Sequence, residues 1–313
     1  MYFQEETVKS KLWLLYALIT MLFFGVWGAL IETTEKAGFP ATLGYVVWAI
    51  MMIPPAIVAL SIIRWKLDHN LRSVTLGLIC GFTGTGGQLI LFQTLAREPA
   101  YLVFPIISLS PVVTIILSMV FLKERASKTG WIGIALALIA MPLLSYQPSG
   151  NSDIHGYIWL IGALIVFLAW GVQSYVLRLA NRTMKAESIF VYMMIAGLLL
   201  IPIALYLTDF SKEINWGFKG PYLAAMIQIL NAVGALFLVY AFRHGKAIIV
   251  SPMINALAPV ITVVISLLIY AYIPHPAIAT GLVLALAAAF LMSNEEAEAP
   301  PEEILNEKNN TAQ

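Results

Sequence analysis

The sequence predicts an all-α integral membrane protein with ten transmembrane helices, arranged as two inverted five-helix repeats. Three observations support this fold class: the composition, the length of the apolar segments and an internal repeat. Of the 313 residues, 60% are hydrophobic and 11% are charged, and the mean hydropathy is +0.85. Soluble domains carry about 25% charged residues. We therefore expect a polytopic membrane protein.

Apolar segments of about 20 residues divide the chain into ten candidate spans. About 20 helical residues, at 1.5 Å each, cross the roughly 30 Å of hydrocarbon in a bilayer. Because a backbone in lipid must satisfy its own hydrogen bonds, apolar runs of this length are predicted to be helices. In chain order the segments are 12–31, 42–63, 74–95, 101–122, 130–146, 157–177, 188–207, 221–242, 248–270 and 277–293.

Charged residues separate these segments and mark their ends. Basic clusters lie at 64–66, 123–125, 178–185 and 243–246, after every second segment. The tail at 295–313 is rich in glutamate and poor in apolar residues, so we expect it to be disordered and solvated.

An internal repeat relates two halves of the chain, predicted at 12–147 and 155–294. Residues 109–114 read Leu-Ser-Pro-Val-Val-Thr and return 148 residues later, at 257–262, as Leu-Ala-Pro-Val-Ile-Thr. Further pairs at or near this offset are Ser118 and Ser266, Gly133 and Gly281, Ala140 and Ala288, Ser145 and Ser293, Pro105 and Pro252, Ala100 and Ala247, and Trp27-Gly28 and Trp170-Gly171. A duplicated membrane domain points to transport.

Lysine and arginine are distributed unevenly between the two sets of loops. Fourteen fall on the side of the termini and four on the other. By the positive-inside rule, we expect both termini, at 1–11 and 295–313, to be cytoplasmic. Because each half has an odd number of spans, five, the second half enters the membrane in the opposite orientation to the first. The loop at 123–128 is strongly basic, whereas its equivalent at 271–276 has no lysine or arginine, as an inverted topology requires.

Together these features resemble the EamA-type branch of the drug/metabolite transporter superfamily. The resemblance rests on the Trp-Gly early in each half, the Leu-x-Pro-Val of each fourth segment, Lys-Glu-Arg at 123–125 and Trp-Ile-Gly at 131–133. It covers nearly the whole chain. It implies a ten-helix bundle in an inner or plasma membrane that moves small metabolites. Glu124 pairs with Tyr272 in the repeat, so the second half lacks the Lys-Glu-Arg element.

Few side chains within the spans suit catalysis or metal binding. All aspartates and histidines lie at or beyond span ends, which argues against an intramembrane hydrolase. The glycine-rich stretch at 81–87 has no lysine partner and no preceding strand, so we expect it to pack helices rather than bind phosphate. A single cysteine, Cys80, excludes an internal disulfide framework. The net charge of +1 argues against a nucleic-acid partner, and no cofactor is expected.

Polar and aromatic side chains at depth are the candidate substrate-binding residues, because inverted repeats place a site near the bilayer midplane. They are Trp27, Gln88, Ser108, Trp170, Gln173, Tyr175, Asn231 and Asn255. The alternative is that such groups are interhelical contacts worth about 0.6 kcal/mol each.

Glu32, at the outer interface, is either an ordinary interfacial charge or a gate responsive to protons. Tyr16, Trp48, Trp65 and Trp159 are expected in interfacial aromatic belts.

A secondary active transporter accounts best for these features. We expect export of a small organic metabolite or amphipathic compound by alternating access, with a possible coupling ion. Highly anionic substrates usually need deep lysine or arginine, which the spans lack. Two alternatives remain open: a nucleotide-sugar or phosphate-ester antiporter of the same superfamily, and a non-transporting membrane sensor or accessory protein.

Overall fold

The computed structural model describes residues 11–95, 100–146, 158–270 and 275–295. Within these ranges every regular element is a helix. The predicted N-terminal segment up to residue 10, the acidic tail beyond Glu295, and the loops around Arg97 and Asp153 lie outside the described residues.

Ten apolar helices, labelled α1 to α10, make up the described part of the chain. They are α1 (Leu12–Lys36), α2 (Ala41–Ile62), α3 (Leu71–Leu95), α4 (Val103–Leu122), α5 (Lys128–Leu144), α6 (Ile158–Asn181), α7 (Ala186–Tyr206), α8 (Phe218–His244), α9 (Ala247–Leu268) and α10 (Pro276–Met292). Eight of them are long and apolar enough to cross a membrane. The other two, α5 and α10, have 17 residues each. The all-helical, multi-spanning architecture is confirmed, and a count of ten spans stays a prediction.

Prolines interrupt three of these helices. A turn at Met52 divides α2, a turn at Leu200 divides α7, and residues 108–110 separate two helical parts of α4. Proline lacks a backbone N–H and its ring clashes with the preceding turn, so helices break close to it. The fourth segment, expected to be continuous over 101–122, is therefore broken in its middle. Its repeat counterpart α9 contains Pro252 and Pro259 and stays continuous.

The packing of the helices follows the sequence repeat. Helix α1 packs against α8 and α9, while α6 packs against α3 and α4. Helix α2 packs against α8, α7 packs against α3, and α5 packs against α10. When each helix of the first half is matched with the helix five places later, every contact in this set has its counterpart. The two halves therefore interlock rather than fold side by side.

Repeated threonines hold two equivalent helix crossings together. The Oγ1 of Thr262 in α9 donates to the carbonyl oxygen of Gly25 in α1, at 2.9 Å. Its repeat mate Thr114 in α4 donates to the carbonyl oxygen of Gly171 in α6, at 3.0 Å. A Cβ atom on Gly171 would lie 2.6 Å from the carbonyl oxygen of Ser110, so only glycine allows this approach. These threonines serve packing.

Loops that join every second pair of helices meet at one end of the bundle, called here the charged end. The backbone N–H of Lys185, before α7, donates to the carboxylate of Asp68, after α2, at 2.8 Å. The ring of Tyr16, in the second turn of α1, stacks on Tyr240 near the end of α8 at 5.2 Å. At the opposite end, the N–H of Asn215 donates to the carbonyl oxygen of Gly38, at 3.0 Å.

Replacing Gly171 with alanine is expected to destabilise the protein by about 1–3 kcal/mol, because the added methyl group overpacks the crossing of α6 and α4. The matched control is Gly86→Ala, where the nearest atom to an added Cβ is 3.9 Å away. That control gains helix propensity and should be neutral or slightly stabilising. Thermal unfolding in detergent measures both variants. Equal midpoints for the two would show that the crossing at Gly171 tolerates a side chain.

Candidate functional site

A narrow cavity lies between α1, α2, α3 and α8. Its volume is about 10 Å³, roughly the space that one water molecule needs, so in this conformation it is far smaller than a pocket for a drug-sized ligand. The seven lining residues are Trp27, Tyr45, Trp48, Gln88, Phe92, Gln228 and Asn231. Four are aromatic, three are carboxamides, and none carries a formal charge.

Two carboxamides of α8 fix the indoles that line the cavity. The Nε1–H of Trp27 in α1 donates to the Oε1 of Gln228 at 2.8 Å. The Nε1–H of Trp48 in α2 donates to the Oδ1 of Asn231 at 2.9 Å. Residues three apart share one face of a helix, so both amides point to the same side of α8. Gln228 also donates to the carbonyl oxygen of Gly44 at 3.3 Å.

The side chain of Gln88, from α3, also lines the cavity. In the described ranges it makes no hydrogen bond to another residue, whereas the amides of Gln228 and Asn231 do. Tyr45 is fully buried, and its hydroxyl donates to the carbonyl oxygen of Gly197 at 3.3 Å. Gln88 is therefore the lining amide whose oxygen and N–H groups are both available to a ligand.

Three of the candidate residues predicted from the sequence, Trp27, Gln88 and Asn231, line this cavity. The sequence analysis missed Tyr45, Phe92 and Gln228. It placed Trp48 in an interfacial belt and did not identify it as a lining residue, whereas its indole lines the cavity and is bound to Asn231. A second amide three positions before Asn231 on an apolar helix was the available signal for Gln228.

Ser108 and Asn255 bind the backbone of their own helices. The hydroxyl of Ser108 donates to the carbonyl oxygen of Pro105 at 2.9 Å, where α4 is broken. The amide of Asn255 donates to the carbonyl oxygen of Ser251 at 2.9 Å. Neither residue lines the cavity in this structure.

The candidates on α6 pack against other helices rather than lining the cavity. The Nε1–H of Trp170 donates to the carbonyl oxygen of Gly84 at 3.3 Å. The side chain of Gln173 covers the same glycine, where a Cβ atom would lie 2.6 Å from its Cδ. The ring of Tyr175 lies 6.0 Å from that of Phe121.

Glu32 lies on the surface, near the opposite end. Its side chain is 67% exposed and forms an ion pair with Lys36, one helical turn later, at 2.7 Å. Exposed pairs of this kind contribute about 0–1 kcal/mol. The geometry is that of an ordinary surface ion pair.

A buried ion pair between Glu124 and Arg178 lies at the charged end. The Nε of Arg178 lies 2.9 Å from the Oε1 of Glu124, and their side chains are 3% and 1% exposed. The Nη1 of Arg178 also donates to the carbonyl oxygens of Phe242 and Arg243, at 2.9 Å each. The other oxygen of Glu124 accepts the N–H of Ile248 at 3.2 Å. The pair therefore joins the ends of α4, α6 and α8 to the start of α9.

Local backbone geometry places both partners of this ion pair. A π-helical turn at Ser118–Leu122 ends at Lys123, whose φ of +57° is left-handed. The chain then turns back, and the N–H of Glu124 donates to the carbonyl oxygen of Ser118 at 3.2 Å. Arg178 belongs to the last turn of α6, which extends to Asn181 and beyond the predicted span end.

A second carboxylate, Glu295, connects the end of α10 to the charged end. It accepts the backbone N–H of Ser127 at 2.8 Å and the Nζ of Lys246 at 3.3 Å. Burial raises the pKa of Glu295, but the hydrogen bonds from Ser127 and the charge of Lys246 outweigh it and hold the pKa below its usual value. Glu295 is therefore ionised at neutral pH.

The cavity and the charged end lie far apart along α8. Gln228 and Arg243 are 15 positions apart, which corresponds to about 22 Å of helix. Across the described ranges, no group of three or more His, Cys, Asp or Glu side chains could hold a metal ion. The site is therefore a neutral cavity near one end of a bundle whose other end holds buried ion pairs.

Comparison with known proteins relates this chain to membrane transporters. A profile of the EamA-like transporter family matches residues 11–146 and, again, residues 157–294. The pseudopaline exporter CntI of Pseudomonas aeruginosa is 25% identical over 240 residues, which cover 76% of this chain and 80% of that protein. Protein LicB of Haemophilus influenzae is 26% identical over 224 residues, which cover 64% and 70% of the two chains.

A solved crystal structure shares the fold. It superposes with a TM-score of 0.70 at 18% sequence identity, covering 88% of this chain and 95% of the other. The apolar helices described above agree with a multi-pass membrane protein. Since the family profile covers nearly all of the chain in two matches, the protein belongs to the EamA-like transporter family.

Proposed function

We propose that the protein is a secondary active transporter that exports a small organic compound by alternating access. The observation that carries this proposal is the combination of a neutral cavity near one end of the bundle with a buried ion pair that closes the other. A protein that alternates between two open states has one side closed while the other receives or releases the substrate.

Ten membrane spans, as two inverted five-helix repeats, fit this mechanism. Helices α5 and α10 are each about 25 Å long, within the range of short spans, and they pack against each other. Their crossing uses the repeat mates Gly133 and Gly281, where an added Cβ would lie 3.0 Å from a backbone atom of the partner helix. The matched contacts of the two halves support the same arrangement.

The charged end is the cytoplasmic side in this proposal, in an inner or plasma membrane. It carries the basic loops, and the positive-inside rule places such loops in the cytoplasm. The start of α1 and Glu295, after α10, lie at the same end, so both termini are cytoplasmic. The cavity is then nearer the outer side.

When the protein switches between its two states, we expect the equivalent helices of the two halves to exchange conformations. Trp27 and Trp170 are repeat mates, but Trp27 lines the cavity while Trp170 packs on the backbone of α3. We propose that opening of the cytoplasmic side separates α6 from α3 and exposes Trp170 and Gln173 to the substrate. Ser108, Tyr175 and Asn255 remain candidates for that second state.

Export as the direction rests on a relative. CntI is described as an exporter. The neutral side chains that line the cavity give no reason to propose the opposite direction of transport. A nucleotide-sugar or phosphate-ester antiporter is disfavoured, because no lysine or arginine lines the cavity to bind a phosphate. A coupling ion is compatible with the proposal, and the described residues do not specify one.

Replacing Gln88 with leucine should weaken transport about threefold to tenfold, because the substrate loses a hydrogen bond from an otherwise unengaged amide. The assay is uptake into inverted vesicles of a compound identified by thermal-shift screening of a metabolite panel. Thr83→Val on the same helix is the control, since the hydroxyl of Thr83 bonds the backbone of its own helix. Normal transport by Gln88→Leu at normal expression would show that Gln88 serves packing rather than substrate binding.

Replacing Glu124 with glutamine should destabilise the structure by about 3–5 kcal/mol, because the charge of Arg178 stays buried without its partner. Glu32→Gln, which breaks an exposed ion pair, should cost about 0–1 kcal/mol. Chemical denaturation in detergent measures both variants. A loss at Glu124 as small as that at Glu32 would show that the charged end is open to water and does not seal the bundle.

Labelling of single cysteines tests the membrane orientation. In a Cys80→Ala background, a membrane-impermeant thiol reagent should label Lys212→Cys, between α7 and α8, in intact cells. His69→Cys, between α2 and α3, should be labelled only after the membrane is permeabilised. Both native side chains are exposed, so accessibility within the protein is not limiting. The reverse pattern of labelling would invert the proposed topology.

A further inference from the structure

A carboxylate from beyond the last helix completes the N-terminal cap of α5. Ser127 is the cap residue, and its hydroxyl accepts the backbone N–H of Gly130, three positions later, at 3.0 Å. In a capping box that third position is glutamate or glutamine, whose side chain reaches back to the N–H of the cap residue. Here the position is glycine, and Glu295 supplies the carboxylate instead. It accepts the backbone N–H of Ser127 at 2.8 Å and also the hydroxyl of Ser127.

Gly130 leaves the space that this carboxylate occupies. A Cβ atom at Gly130 would overlap the Oε1 of Glu295. Glycine favours a helix less than alanine does, so the first turn of α5 gives up helix propensity where Glu295 makes its contact. A carboxylate at this place is also stabilised by the partial positive charge of the helix N-terminus. The start of α5 is therefore suited to receive a carboxylate from another part of the chain.

The same carboxylate binds the residue that precedes α9. The Oε2 of Glu295 lies 3.3 Å from the Nζ of Lys246. The second residue of α9, Ile248, donates its N–H to Glu124 of the buried ion pair. Glu295 therefore connects α5, from the first half of the chain, to α9 and α10 of the second half. Movement of the start of α9 away from α5 must break one of its contacts.

The two ion pairs of the charged end differ in their access to water. The side chains of Arg178 and Glu124 are 3% and 1% exposed, so separating them would leave a buried charge without its partner. The side chain of Lys246 is 23% exposed, whereas that of Glu295 is 4% exposed. Lys246 lies at the edge of the bundle, and both groups can be hydrated when they separate. The contacts of Glu295 are therefore easier to break and reform.

We propose that Glu295 is a positioning residue for transport, a latch that holds the starts of α5 and α9 together at the charged end. The carboxylate must leave Ser127 and Lys246 when that end opens. This inference rests on the proposed alternating access and names one contact that controls it. Because Glu295 is ionised, its hydrogen bonds are about twice as strong as those between neutral groups.

A cysteine in place of Ser118 reports opening of the charged end. Ser118 is fully buried in the π-helical turn that contacts α9. Within the described ranges its Oγ has no hydrogen-bond partner, so Ser118→Cys removes no side-chain hydrogen bond. Val250→Cys, from the fully buried first turn of α9, is a second reporter. In a Cys80→Ala background, reaction with a hydrophilic thiol reagent is followed on the purified full-length protein in detergent.

Two substitutions release the latch by different routes. Glu295→Gln removes the charge, whereas Gly130→Ala displaces the carboxylate with a methyl group and favours the helix. Each should raise the labelling rate of both cysteines about fivefold to tenfold, because charge-assisted hydrogen bonds become neutral or are broken. Glu32→Gln, which breaks the exposed pair near the opposite end, is the control and should not change the rate.

Thermal unfolding separates opening of the latch from a general loss of stability. Gly130→Ala should keep an unfolding midpoint close to the native one, because the gain in helix propensity offsets the lost contact. Faster labelling in this variant then reports local opening. Unchanged labelling in either latch variant would overturn the proposal. Faster labelling of Gly130→Ala together with a lower midpoint would also overturn it.

Failure of this inference and failure of the proposed function give different results, since labelling needs no substrate. If the latch variants label faster but vesicles transport no compound, the role of Glu295 in opening is supported and the transport function is overturned. If vesicles transport a compound and labelling does not respond to either variant, the transport function stands and the latch is wrong.

Discussion

The buried ion pair between Glu124 and Arg178 is the constraint on which the arrangement of the bundle depends. Two ionised groups taken out of water are stable only when their remaining donors and acceptors are satisfied. Here the guanidinium also binds two carbonyl oxygens at the end of α8, and the carboxylate binds an N–H at the start of α9. Four helices must therefore meet at one point. Separating any of them would expose or orphan a buried charge.

Helix α8 connects this constraint to the cavity. Near one end, Gln228 and Asn231 hold the indoles of α1 and α2, and at the other its last carbonyl groups bind Arg178. The helix is continuous from Leu223 to His244, so it spans the distance between the two regions without a break. A shift of α8 that loosens the ion pair therefore also moves the two amides. This geometry physically links the ion pair at one end of α8 to the side chains of the cavity near the other.

Two tryptophans at equivalent positions of the repeat have different surroundings, and the sequence of α3 and α8 explains the difference. Trp27 donates its indole N–H to Gln228, and both side chains line the cavity. Trp170 meets Gly84 and Gly87, which allow the indole to lie directly on the backbone of α3. Similar halves can thus adopt different packing, because glycine permits a close approach where glutamine does not.

The sequence by itself determined the helical class, the approximate positions of the apolar helices, the family, and three of the residues that line the cavity, Trp27, Gln88 and Asn231. These properties follow from local hydropathy and from the repeat, both of which can be recognised directly in the order of residues. Only the tertiary structure decided which polar side chains meet. Asn255 and Ser108 found partners in their own helices, whereas Trp48, expected at the interface, bound Asn231 across 183 positions. Glu124 and Arg178 lie 54 positions apart and pair because a left-handed residue and an extended helix end bring them together. Such pairings depend on crossing geometry and backbone turns, which no local pattern of residues specifies.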